Sequence, residues 1–273
     1  FFGPVVGPAV TVALMAALGW KAVFWLFGVI GVLLGVLWFK FVPDNPKQSP
    51  YVNEAELEHI NDGRENTVEA KGIAPWGKLL KSSQFWSLGL QFMITDYIMY
   101  VFLAWLPLYL MEVHGFSLSK MGLWAAAPWL SLMAVVSCCG YLSDKAIAAG
   151  FSQNLVKTST GAVGILLCAC TLFIATRTAD PMMNVFWLSV ALGSLGLTMS
   201  ASWSSVISMG GRFAGSVSGW MNFWGNIGGV LAPSVTAWVA TTYGWQAALA
   251  VTAVSGIAGA VLWLFVKPDK AIV

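Results

Sequence analysis

Asn222 and Asn226 stand four residues apart in a long apolar run, a spacing that puts both amides on one face of a helix. Paired amides offer donors and acceptors suited to a carboxylate or hydroxyl of a ligand; equally, they can bond a neighbouring helix and hold it in place. The densest polar patch within any run is Gln91, Thr95, Asp96, Tyr97 and Tyr100. Asp96 is the only acid well inside an apolar stretch, where charge is costly, so it is a candidate proton carrier unless a single hydrogen bond to a neighbour neutralises it. Tyr97 and Tyr100, three apart, present hydroxyls on roughly one side, for a ligand or for packing. Ser202 and Trp203 belong to a stretch of small hydroxyls, Ser200 to Ser208, which permits close helix approach as well as bonding to a ligand.

Several chemistries have no residues to carry them. The chain shows no Walker loop, no HExxH and no GxSxG, which disfavours an ATP-driven pump and the common hydrolases. Cys138, Cys139, Cys168 and Cys170 lack metal-ligand spacing and read as small apolar packing residues, while the two histidines, His59 and His114, fall between the runs. No metal, no cofactor and no enzymatic activity is expected. A net charge of +2 without a run of basic residues argues against nucleic acid as a partner, and no filter loop or charge ring suggests a channel.

The elements that must position the polar groups are membrane spans. Only 10% of the residues are charged, against about 25% in an ordinary soluble domain, and the charges cluster between runs that are nearly charge-free. A span needs about 20 apolar residues. Runs at 21–42, 85–110, 119–142, 155–176, 184–208, 215–240 and 246–267, with a shorter one at 1–17, predict an all-α membrane protein of about eight transmembrane helices. Tryptophans near the run ends (Trp20, Trp38, Trp86, Trp105, Trp245, Trp263) suit the interface between lipid and water.

Orientation follows from Lys and Arg. With the 43–84 loop in the cytoplasm, that side holds Lys47, Arg64, Lys71, Lys78, Lys81, Lys145, Lys157, Arg212, Lys267 and Lys270, against Lys21, Lys120 and Arg177 on the other. Within the loop, Asn53, Glu54, Glu56 and Glu58, with Leu57 and Ile60 on one face, read as a short capped amphipathic helix, and Trp76, Leu79 and Leu80 begin another. Phe1 opens inside an apolar run with no Met and no basic leader, so the sequence reads as a fragment and not as a signal peptide.

Gly140-Tyr141-Leu142-Ser143-Asp144-Lys145 resembles the G-x-L-[GS]-D-[RK] cytoplasmic loop signature of the major facilitator superfamily, in the copy carried by its second six-helix half. Gly140 allows close helix approach, and Asp144 can cap a helix or pair with a cation; Lys145 completes the signature. Three further stretches are similar to the anion:cation symporter family. They are Gly19-Trp20-Lys21 with Phe24 and the exit Pro43-Asp44-Asn45-Pro46; Trp105-Leu106-Pro107-Leu108-Tyr109-Leu110; and Ser218 to Gly229 with Pro233 and Tyr243-Gly244-Trp245. Lys21 stands where that family usually has Arg. Gly3, Gly7 and Pro8 are a half match to the helix-five motif of antiporters, with Val10 and Thr11 replacing its Gly-Gly.

The resemblance implies helices five to twelve of a major facilitator fold. Residues 1–42 would close the first half, 43–84 would form the central cytoplasmic loop and 85–273 the second half. It implies a secondary transporter, a monomer in a bacterial inner membrane, bringing in an organic anion such as a sugar acid with protons or sodium by alternating access. It places Gln91, Tyr97, Tyr100, Ser202, Trp203, Asn222 and Asn226 at the substrate and Asp96 at proton coupling. Residues expected in helices one and four lie outside the chain, which alone would then be inactive. A metabolite or drug antiporter of the same fold, or a receptor or scaffold that does not transport, are the other readings.

Overall fold

The structure, a computed structural model, describes residues 2–43, 46–61 and 74–272. Asp44 and Asn45 of the Pro-rich exit, Arg64 and Lys71 of the charged loop, and the side chain of Ile60 lie outside the described residues. Among those described, the regular structure is helical: α1 (Phe2–Leu18), α2 (Trp20–Phe41), α3 (Glu54–Asn61), α4 (Trp76–Leu79), α5 (Ser83–Glu112), α6 (Leu118–Trp124), α7 (Ala126–Ala148), α8 (Gln153–Arg177), α9 (Pro181–Gly210), α10 (Ala214–Tyr243) and α11 (Trp245–Trp263). Six stretches are long and apolar enough to cross a membrane, and one of them, Pro181–Tyr243, is α9 and α10 joined by a single turn. With α1, shorter at 17 residues, these helices match the eight apolar runs in order.

One local departure has a plain cause. The run at 119–142 is two helices, broken at Ala125, because Pro128 has no N–H to give the carbonyl of Trp124. The short capped helix expected in the charged loop is α3, which includes His59; Asn53 caps it by accepting from the Glu56 N–H at 2.8 Å.

The Gly-Trp pairs are turns of one kind. Gly19 (φ 80°, ψ 163°) and Gly244 (φ 87°, ψ 165°) stand immediately before α2 and α11, in a left-handed conformation that a side chain would strain. Each donates its N–H to the carbonyl four residues back, Met15 at 3.0 Å and Ala240 at 2.9 Å, so one helix ends as the next begins.

The chain divides into two units, Val10–Ile73 and Ala74–Val273 with Phe1–Ala9. In the first, α2 exposes apolar side chains all round, Trp25, Leu33 and Phe39 among them, as suits a helix bathed in lipid or covered by other helices. In the second, α9 packs on α5, α7, α8 and α10, while α11 fills the side between α5 and α8. Small residues set these distances: Gly161 of α8 lies against the buried ring of Trp263, and Gly228 of α10 against the main chain of α5 at Met93. Cys139 and Cys168 are buried in this packing, whereas Cys138 and Cys170 lie on helix exteriors.

The contact at Gly228 gives a sharp test. A Cβ there would overlap the carbonyl oxygen of Met93, which as main chain cannot swing aside. Gly228→Ala is expected to destabilise by about 1–3 kcal/mol and lower the melting midpoint in detergent. Gly219→Ala, whose Cβ meets nothing within 4 Å, is expected to be neutral or stabilising by up to ~1 kcal/mol.

Candidate functional site

The residues that the sequence singles out divide into two groups. Gln91 and Ser202 are fully buried and bonded to each other: Gln91 Nε2 donates to Ser202 Oγ at 3.1 Å and to the Leu88 carbonyl at 3.2 Å. Thr95 Oγ1 donates to the Gln91 carbonyl at 2.9 Å, and Ser202 Oγ to that of Thr198 at 2.8 Å. Thr198 Oγ1 in turn donates to the Gly161 carbonyl at 2.9 Å. The result is a polar ladder from α5 through α9 to α8 in the apolar centre of the unit. In this conformation Gln91 and Ser202 have no surface for a ligand and serve to hold helices.

The second group opens outward. Asn222 and Asn226 are exposed near the middle of α10, and Asn226 Nδ2 donates to the Asn222 carbonyl at 2.8 Å, so the two amides share a face as their spacing predicts. Tyr97 and Tyr100 are half-buried on α5; the ring of Tyr100 lies against Gly229 and the main chain of Tyr97 beside Gly228. Trp203 of α9 is 40% exposed and meets Phe92 of α5 edge to face at 5.8 Å. Asp96 sits where α5 and α10 touch: one carboxylate oxygen lies against Gly225, and Oδ1 is buried without a hydrogen-bond partner among the described residues.

The loop signature is at the other end of the packing. Gly140 and Asp144 line a cavity of about 30 Å³ together with Lys157, while Lys145 is exposed. Lys157 is buried, its Nζ donating to the Ser204 carbonyl at 3.1 Å and to Ser208 Oγ at 3.2 Å, so it ties α8 to α9 beneath the loop. By sequence Lys157 lies near the cytoplasmic end of the 155–176 run and counts toward the charge of that side; its burial and its bonds to α9 are what the sequence does not show.

Sequence reasoning also passed over Asn184, His114 and Tyr109 at the opposite end. Asn184, fully buried, donates to Tyr109 Oη at 3.0 Å and to the Ala175 carbonyl at 2.8 Å, and His114 Nε2 lies 3.4 Å from the same hydroxyl. Asn184 falls at the edge of its run, where an amide looks like an ordinary helix start.

A bundle of long apolar helices that keeps an acid and a polar ladder at membrane depth is a multi-pass integral membrane protein. The family profile described as Major Facilitator Superfamily matches residues 1–233, and the chain belongs to that family, whose members are transporters and not enzymes. The chain is 27% identical over 271 residues to the "Ascorbate transporter, chloroplastic" of Arabidopsis thaliana, covering 99% of this chain and 50% of that one. It is 29% identical over 266 residues to the "D-galactonate transporter" of Escherichia coli O6:H1 strain CFT073, covering 92% of this chain and 60% of the other. It thus spans about half to three fifths of the length of these curated relatives, which are anion and sugar-acid transporters as the motif resemblance implies. The crystal structure of a bacterial homolog to the human lysosomal transporter Spinster, inward-facing and unoccupied, is similar with a TM-score of 0.60 at 18% identity, over 96% of this chain and 64% of that one. That likeness speaks for the fold.

The division into a buried ladder and an open face is measurable. Ser202→Ala leaves the Gln91 amide short of a partner and is expected to cost about 1–2 kcal/mol, seen as a lower melting midpoint in detergent. Asn226→Ala, at an exposed position, is expected to change stability by no more than ~0.5 kcal/mol.

Proposed function

We propose that this protein is a secondary carrier that moves a small organic anion, such as a sugar acid, across a bacterial inner membrane by alternating access, coupled to protons. The observation that carries the reading is the exposed pair Asn222 and Asn226 in the middle of a 30-residue apolar helix. Amides at that depth do not face hydrocarbon without cost, so their face belongs to protein or to a water-filled path. Tyr97, Tyr100 and Trp203 open on the same unit, and we assign them with the two asparagines to the substrate. Hydroxyl and amide groups suit the hydroxyls and carboxylate of a sugar acid, and the names of the relatives point to the same class.

Asp96 is the group we assign to the proton. An acid at membrane depth whose Oδ1 has no hydrogen-bond partner among the described residues gains from carrying a proton, and its seat against Gly225 makes its surroundings sensitive to any sliding of α10 on α5. Gln91 and Ser202 position α5 and α9 around that path.

The test is counterflow of labelled sugar acids in vesicles holding the full-length protein. Saturable exchange is expected, and its absence with every organic anion tried overturns the reading. Asn222→Ala should raise the half-saturation concentration about fivefold, the equivalent of one lost hydrogen bond; an unchanged value removes Asn222 from the substrate. Asp96→Asn should keep counterflow but lose accumulation driven by a proton gradient, and accumulation at the original level would strip Asp96 of its role.

A further inference from the structure

We propose that the cavity between the α5–α6 turn, the α8–α9 turn and the start of α11 is a second anion site. It would take a small carboxylate on the Arg177 guanidinium and the Gln246 amide, with His114 adding a second charge once protonated. It lies at the opposite end of the bundle from the Gly140–Lys145 loop, on the face that the Lys and Arg bias makes extracytoplasmic.

The cavity holds about 260 Å³, just under the ~300 Å³ at which sites for drug-sized molecules begin, and His114, Arg177, Gln246, Thr176 and Thr178 are the polar side chains on its lining with Tyr109. Both groups on its lining that can carry charge near neutral pH are cationic. The two acids nearby are not on the lining: Glu112 Oε2 accepts from Trp245 Nε1 at 2.9 Å, and Asp180 Oδ1 accepts from the Met183 N–H at 2.8 Å as the cap of α9. The Arg177 guanidinium lies 5.3 Å from the centre of the Phe173 ring, and no carboxylate is in ion-pair reach of it among the described residues. An arginine so placed keeps its fork of donors for a planar anion.

His114 gives the site a second state. Burial holds its imidazole below the ordinary histidine range, a shift opposed by the neighbouring Asn184 side chain and by the charge of Asp180. The titratable or charged groups around it are Tyr109 and Glu112 of α5, Lys120 of α6, Arg177 of α8 and Asp180 at the start of α9; α11 brings only the neutral Trp245 and Gln246. Near neutral pH the lining itself therefore carries the charge of Arg177, with Asp180 close by, and acidification adds that of His114. By reciprocity, a bound anion must make His114 hold its proton to higher pH.

Only the choice of a sugar acid as probe rests on the carrier reading; the charge argument stands without it. In the full-length protein in detergent, the imidazole signals of His114 and His59 can each be assigned by their loss in His114→Gln and His59→Gln and then titrated, with His59 as the internal control. With D-galactonate, or with acetate as the bare carboxylate, the His114 midpoint is expected to move to higher pH while that of His59 stays. Arg177→Gln should abolish the movement, and Arg177→Lys, which tests for mere misfolding, should restore part of it. In counterflow, Arg177→Gln should raise the half-saturation concentration from the outer side about two- to fivefold and leave maximal exchange unchanged. A His114 midpoint indifferent to both anions overturns the second site even where exchange is intact. A midpoint that moves in a protein showing no exchange keeps the site and overturns the carrier.

Discussion

Gly225 and Gly228 let α10 lie directly on the main chain of α5, and the positions of the other candidate groups depend on that contact. It leaves no room for a Cβ on Gly228, which would meet the Met93 carbonyl, and brings the Asp96 carboxylate against Gly225. It also fixes the rotation of α10, so that Val217, Met221 and Ala232 turn inward and Asn222 and Asn226 turn out. Lipid tails are as apolar as leucine and supply little drive to bring helices together, so dispersion contacts of this closeness and a few hydrogen bonds must do so. The ladder from Gln91 through Ser202 and Thr198 to Gly161 provides the hydrogen bonds.

Much of this was legible in the chain. Apolar run length places every long helix, because a span has to be about 20 residues whatever its partners. The i, i+4 spacing puts Asn222 and Asn226 together, and the hydroxyl-rich stretch around Ser202 marks where α9 is held. What the sequence could not divide was the polar set itself. Gln91 and Asn226 are both amides within apolar runs, yet one is sealed between three helices and the other lies open. Which side of a helix meets a neighbour is decided by tertiary packing, and a helix apolar on all sides carries no stripe to reveal it. The burial of Lys157 was hidden for a related reason: a long alkyl stem can reach from a span to polar partners, so position near a run's end does not say whether a lysine is solvated or buried.

The two ends of the second unit handle charge differently. Beneath the loop signature, Lys157 is bonded to Ser204 and Ser208, and Asp144 shares a cavity with room for about one or two waters. At the opposite end the carboxylates are the bonded partners and the cation lies open.

Trp245 and Tyr109 face two cavities at once, the polar one at the outer end and an apolar one of about 20 Å³ lined by Val101, Trp105, Leu106 and Leu188. Their rings, 5.7 Å apart and crossed at 71°, form a septum. On one side the lining offers a water several polar partners. On the other, a space the size of one water offers little beyond the indole N–H of Trp105, which has no partner among the described residues. The two rings therefore mark the wetting line at this end of the bundle, and the bond from Trp245 to Glu112 is what holds that line in place.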